Sequence, residues 1–184
     1  MSYPDISEIE IHFHETCLAW RFYFNGISLA QIPSGIYTGY KPTELLQAEN
    51  FRKKEAEHLS CFALLANMEA ALRSDYKIRV KNRKYRDGVS KAFRVLETSL
   101  RKKGKNPRLD DILSIWTKNI FDRDRQIFVS ILAALDYRNW LAHGRYWELN
   151  TQHNAKYDFL SLMMIAGELK RYILSPAGQA ICRS

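Results

Sequence analysis

LLQAENFRKKEAEHLSCFALLANMEAALR, residues 45–73, runs without a glycine or a proline. Leu59, Phe62, Leu65/Ala66, Glu69 and Leu72/Arg73 recur in it at the three- and four-residue spacing that puts side chains on one face of an α-helix. Thr43 with Glu44 supplies a helix start, so the pattern predicts one long helix over roughly 43–76, with Asn50 the place for any break. Downstream the same periodicity returns. Residues 90–103 place Phe93, Leu96 and Leu100 on one stripe, with Gly104 past the end. Pro107 precedes a helix over roughly 109–120 carrying Leu109, Ile112/Leu113, Trp116 and Ile120. Asp122 or Asp124 caps the next helix, 125–142, which stops at Gly144. Its middle, IFVSILAAL (127–135), is apolar nearly all round, the mark of a helix buried at the centre of a bundle. A last helix over 155–174 carries Leu160, Met163/Met164 and Leu169 and ends before Pro176. The fold class is therefore all-α, with a helical bundle over 43–175 and a short tail at 176–184.

The first 42 residues form an N-terminal extension with two readings. Ile9, Ile11 and Phe13 alternate with Glu10, His12 and His14, as in a strand of a short β-hairpin. HETCLAWRFYFNG (14–26) equally reads as a helix ended by Gly26. Ser34-Gly35 and Tyr40-Lys41-Pro42 are loop signals.

The chain of 184 residues is long enough for one domain with a core of its own. With 46% hydrophobic and 12% aromatic residues it is not an intrinsically disordered chain. No apolar run reaches the roughly 18 residues of a membrane span, and MSYPDISEIEIH lacks the basic-then-apolar pattern of a secretory signal. Cys17, Cys61 and Cys182 are odd in number and never paired as C-x-x-C, which fits a reducing, cytoplasmic setting without disulfides or zinc fingers. His12, His14 and Glu15 are too few strong ligands for a metal site.

The formal charge is +8, and it is unevenly spread. Residues 77–108 hold 13 Lys/Arg against Asp87 and Glu97, a net of +11, while the remainder holds 15 cations and 18 acids, a net of −3. In the stretch YKIRVKNRKYRDG (76–88), Lys77, Arg79, Lys81, Arg83, Lys84 and Arg86 stand among Tyr76 and Tyr85. Clustered cations attract phosphates and tyrosine rings stack on bases, so these six are candidate RNA-binding residues.

The densest chemical signal is Asp136-Tyr-Arg138-Asn139-Trp140-Leu141-Ala142-His143-Gly144-Arg145-Tyr146-Trp147. Here an apolar helix places Arg, Asn and His in its last turns. Asn139 and His143 are four apart and share a face, with Arg138 one residue round. A guanidinium can hold a phosphate through two oxygens and stabilise the charge of a pentavalent transition state. An imidazole titrating near neutrality can take the 2′-hydroxyl proton or give one to the leaving 5′ oxygen. That pair suits RNA cleavage without metal or cofactor. The bland counterpart is a helix C-terminus whose cations satisfy terminal carbonyls and the dipole. Glu69 lies on the stripe of Phe62, Leu65 and Leu72, either turned inward as a partner for Arg138 or paired with Arg73 on the surface. Trp140, Tyr146 and Trp147 are aromatics for core, partner contact or base stacking.

R-N-W-L-A-H (138–143) resembles the R-x4-6-H motif of the HEPN (higher eukaryotes and prokaryotes nucleotide-binding) superfamily. Asn139 matches the polar residue that commonly follows the Arg, and H-G is a familiar continuation. The resemblance implies an up-and-down helical bundle of four to five helices that forms a homodimer with two motifs facing one cleft. It implies a metal-independent endoribonuclease leaving 2′,3′-cyclic phosphate, with Arg138 and His143 catalytic and Asn139 orienting. Many members are toxins or anti-phage effectors with an antitoxin or defence partner, while others are inactive interaction modules. A subset paired with nucleotidyltransferase antitoxins carries Tyr two residues after the His; here that position is Arg145 and the tyrosine is Tyr146.

The rival readings are a catalytically silent helical module binding a partner protein or nucleic acid, and a DNA-binding regulator. The latter lacks helix-turn-helix spacing.

Overall fold

A computed structural model describes residues 5–142 and 157–173, apart from the side chain of Arg123. Its elements are α1 (Ile6–Ser28), α2 (Pro42–Lys81), α3 (Gly88–Lys102), α4 (Leu109–Asn119), α5 (Arg125–Ala142) and α6 (Phe159–Tyr172), with 3₁₀ turns at Gly35–Tyr37 and Asp122–Asp124. The fold is an all-α bundle, and among the described residues there is no strand. No helix of these residues is long and apolar enough to cross a membrane.

α2 is the axis of the bundle, and the five other helices pack on it or on each other around it. It is one continuous helix of 40 residues. Asn50 does not break it, since a single Asn costs a helix interior only a few tenths of a kcal/mol relative to good helix formers. The helix starts one residue ahead of Thr43, where Pro42 occupies the first turn and the Lys41 N–H donates to Glu44 Oε2 at 2.6 Å. Cys61, Leu64, Leu65, Met68 and Leu72 lie on its inner face in the main core. At full burial each such side chain contributes about 1.5–3 kcal/mol of transfer free energy.

Of the two readings of the N-terminal segment the helical one holds: the chain is helical from Ile6, and the described residues contain no β-hairpin. Asp5 and Glu8 make a reciprocal capping box, with the Asp5 N–H donating to Glu8 Oε2 at 2.8 Å. On a helix Ile9 and Phe13 fall on one face, and both pack into the main core. Phe13 meets Phe159 of α6 with ring centroids 4.2 Å apart. Ile11, the middle member of the apparent alternation, points to solvent. Gly26 does not end the helix, which continues to Ser28. A Cβ there would stand 3.0 Å from Ile32, so the glycine lets the following loop fold back closely over the helix. Phe24, Ile27, Tyr37 and Leu45 form a second, smaller core at this end.

α5 crosses α2 and α4. Phe128 stacks on Trp116 of α4, centroids 4.9 Å apart and planes within 9°. Phe128, Ile131, Ala134, Leu135 and Tyr137 are buried, whereas Leu132 on the opposite side is exposed. The helix therefore lies at the edge of the bundle with Leu132 exposed beside Asp136 and Asn139, and is not enclosed all round as its sequence suggests.

Candidate functional site

Arg138 leaves the inner face of α5 near the end of the described helix and meets α2. Its Nη2 donates to Glu69 Oε2 at 2.6 Å, and its Nη1 donates to Asn139 Oδ1 at 3.0 Å. The second carboxylate oxygen of Glu69, Oε1, accepts from Arg73 Nε at 2.9 Å. Glu69 thus turns inward and pairs with Arg73 at once, uniting the two alternatives left open by its position in the sequence. One carboxylate bridges two guanidinium groups, and the trio carries a net charge of +1. Arg73 Nη1 reaches on to the Pro107 carbonyl at 3.4 Å, tying α2 to the α3–α4 loop. Glu69 is 17% exposed and Arg138 31% exposed, so the pair is half-dehydrated and stronger than a surface ion pair.

These groups line a cleft of about 490 Å³. Its walls are Glu69 and Arg73 of α2, Asn106, Pro107 and Arg108 of the α3–α4 loop, Leu109 and Asp110 at the start of α4, and Leu135, Arg138 and Asn139 of α5. Arg138 Nε is buried and finds no hydrogen-bond partner among the described residues. The charge of the guanidinium is met by Glu69, and this one N–H is the part of the group that no described residue satisfies. Across α5, Tyr137 stacks between Trp140 and Tyr157, with centroids 5.6 and 5.4 Å apart, and His58 stands edge-on to Trp140 at 6.2 Å. Burial, with help from the Asp136 charge, pushes the Tyr157 phenol above its usual range. Trp140 therefore belongs to an aromatic packing cluster behind the cleft. His143 and Tyr146 lie outside the described residues, as do Arg145 and Trp147.

The basic segment divides. Arg79 corrects the sequence reading: it is 2% exposed and cannot face a phosphate on the surface. Its Nε donates to both oxygens of Asp75 at 2.9 and 2.8 Å, its Nη1 donates to Asp87 at 3.2 Å, and its guanidinium lies 4.8 Å from the centre of the Trp116 ring. Arg94, by donating to the carbonyls of Arg79 and Tyr85, holds the α2–α3 turn. Lys77, Lys81, Arg83, Lys84 and Arg86 are exposed, but they sit where α2 ends and α3 begins. From Glu69 to Lys81 is twelve helical residues, about 18 Å along the axis. Asn106 and Arg108, which do border the cleft, were hidden in the sequence because only the antiparallel return of α3 brings its far end to Glu69. Among the described residues no three His, Cys, Asp or Glu side chains converge. His12 instead lines an apolar groove between α1 and α2 with Ile9 and Leu59.

Comparison of the chain with protein-family models, with curated proteins and with solved structures gives no match.

Proposed function

We propose that the chain is a metal-independent endoribonuclease of HEPN type, acting in the cytoplasm as a toxin or anti-phage effector and working as a homodimer. The observation that carries this reading is Arg138, held in the wall of an open cleft by Glu69 and Asn139. In the reaction the 2′-oxygen of a ribose attacks the adjacent phosphorus, a P–O2′ bond forms and the P–O5′ bond breaks, leaving a 2′,3′-cyclic phosphate. Arg138 balances the negative charge that builds on the phosphoryl oxygens. His143, five residues on, takes the 2′-hydroxyl proton or supplies the one that the 5′ oxygen acquires. No metal enters these steps. With EDTA present, wild type should cut a generic RNA, and Arg138→Ala and His143→Ala should each be about 10²–10³-fold slower. Equal rates in all three would sink the assignment.

A second reading, a silent module that binds a partner protein, is favoured by the outer face of α1, where Ile11, Leu18 and Phe22 form an exposed apolar stripe. It expects no cleavage from any variant.

A further inference from the structure

The cations of the basic segment gather at the two ends of α3, and only one end borders the cleft. At the C-terminal end Arg101, Lys102, Lys103, Lys105 and Arg108 are all exposed. The loop that carries Lys103, Lys105 and Arg108 is shaped by its backbone. Gly104 takes a positive φ of 62°, a conformation that suits glycine. The N–H groups of Lys103 and Lys105 both return to the Leu100 carbonyl, at 2.9 and 3.0 Å, closing off the helix. This turns the chain sharply, so that Asn106, Pro107 and Arg108 arrive at the cleft wall directly after the lysines in the chain. Arg73 clamps the arrangement through the Pro107 carbonyl. No carboxylate among the described residues pairs with Arg101, Lys102, Lys103 or Lys105, and the Arg108–Asp110 contact, 3.7 Å long and well exposed, is weak.

From this we infer that the α3–α4 loop is the phosphate track of the cleft. It holds the backbone of a single-stranded RNA as the strand runs to Arg138, while Arg83, Lys84 and Arg86 at the α2–α3 turn take no part. The inference rests on the reading of the cleft as an RNA site. Single-stranded RNA fits better than a duplex because the cations are confined to the last turn of α3 and the short, sharply turned loop after it. A backbone that can bend at each nucleotide can follow that path.

The test uses the full chain and a fluorescent 2′-O-methyl RNA strand, which binds but has no 2′-hydroxyl to react. Binding anisotropy is followed over a range of salt concentrations. The triple variant Lys102→Gln, Lys103→Gln, Lys105→Gln should bind about tenfold more weakly, with a log–log salt slope shallower by about 2. The triple variant Arg83→Gln, Lys84→Gln, Arg86→Gln should stay within about twofold of wild type, a small change set against that loss of phosphate contacts. Equal losses in the two variants, or a greater loss in the second, would overturn the inference, as would a wild type that binds no strand. Cleavage of unmodified RNA separates the two readings. If wild type cuts and the loop variant cuts with unchanged KM, the phosphate track is wrong and the nuclease reading stands. If nothing is cut but the loop variant alone binds weakly, the track stands and the nuclease reading falls.

Discussion

Glu69 divides its two carboxylate oxygens between Arg138 and Arg73, so it both aims the guanidinium and competes with any phosphate that would take its place. Glu69→Gln keeps the shape and removes the charge. The expected result is a lower KM for RNA, because the cleft gains a net positive charge, together with a kcat about tenfold lower, because Arg138 loses its orienting partner. Steady-state kinetics would show the two moving in the same direction, and a rise in kcat would count against the positioning role. Arg79 shows how little a residue type says without its surroundings. Identical in chemistry to its exposed neighbours, it is buried between Asp75 and Asp87. Arg79→Ala would remove the one cation set between two buried carboxylates among the described residues, and urea unfolding should register a loss of about 3–5 kcal/mol. Lys81→Ala, on the surface two residues along, should fall within about 0.5 kcal/mol of wild type.

At the scale of elements, the helices after residue 43 were legible because each buries a stripe at helical spacing against α2, and periodicity is the imprint of one-sided burial. α1 was harder. Its start reads two ways, since Ile9, Ile11 and Phe13 satisfy a two-residue period while Ile9 and Phe13 alone satisfy a helical one. The deciding signal was the capping pair Asp5 and Glu8, three residues apart ahead of the apolar residues. Asp5→Ala should therefore cost about 0.5–2 kcal/mol, seen as faster amide exchange in the first turns of α1. Unchanged exchange would mean that packing on α2, not the cap, fixes where the helix begins. α5 taught the opposite lesson. Its apolar run predicted enclosure, yet Leu132 is exposed, because composition gives the number of apolar residues and not the number of faces covered.

For the whole molecule, α1 contributes Ile9 to the same core as Leu64 of α2 and Leu162 of α6. A chain beginning at residue 43 would uncover that core where Ile9 covers it, and would leave Leu45 without Phe24, Ile27 and Tyr37. At about 1.5–3 kcal/mol for each buried side chain, the loss approaches the 5–15 kcal/mol that holds a typical domain folded. The truncated chain should melt without a cooperative transition and bind a hydrophobic dye, whereas a sharp melt near that of the full chain would show α1 to be dispensable. The sequence by itself determined the all-α class, the order of the helices after residue 43, and the Arg138-Asn139 pair as the place to look. Those features are local, set by spacing along one chain and by the side chains it carries. Only the tertiary structure decided that Glu69 meets Arg138 across 69 residues of sequence. It also buried Arg79 and set one end of the basic segment, not the other, beside the cleft. Each of those outcomes depends on which helices pack together and in which direction, and residue spacing within a single helix carries no record of that.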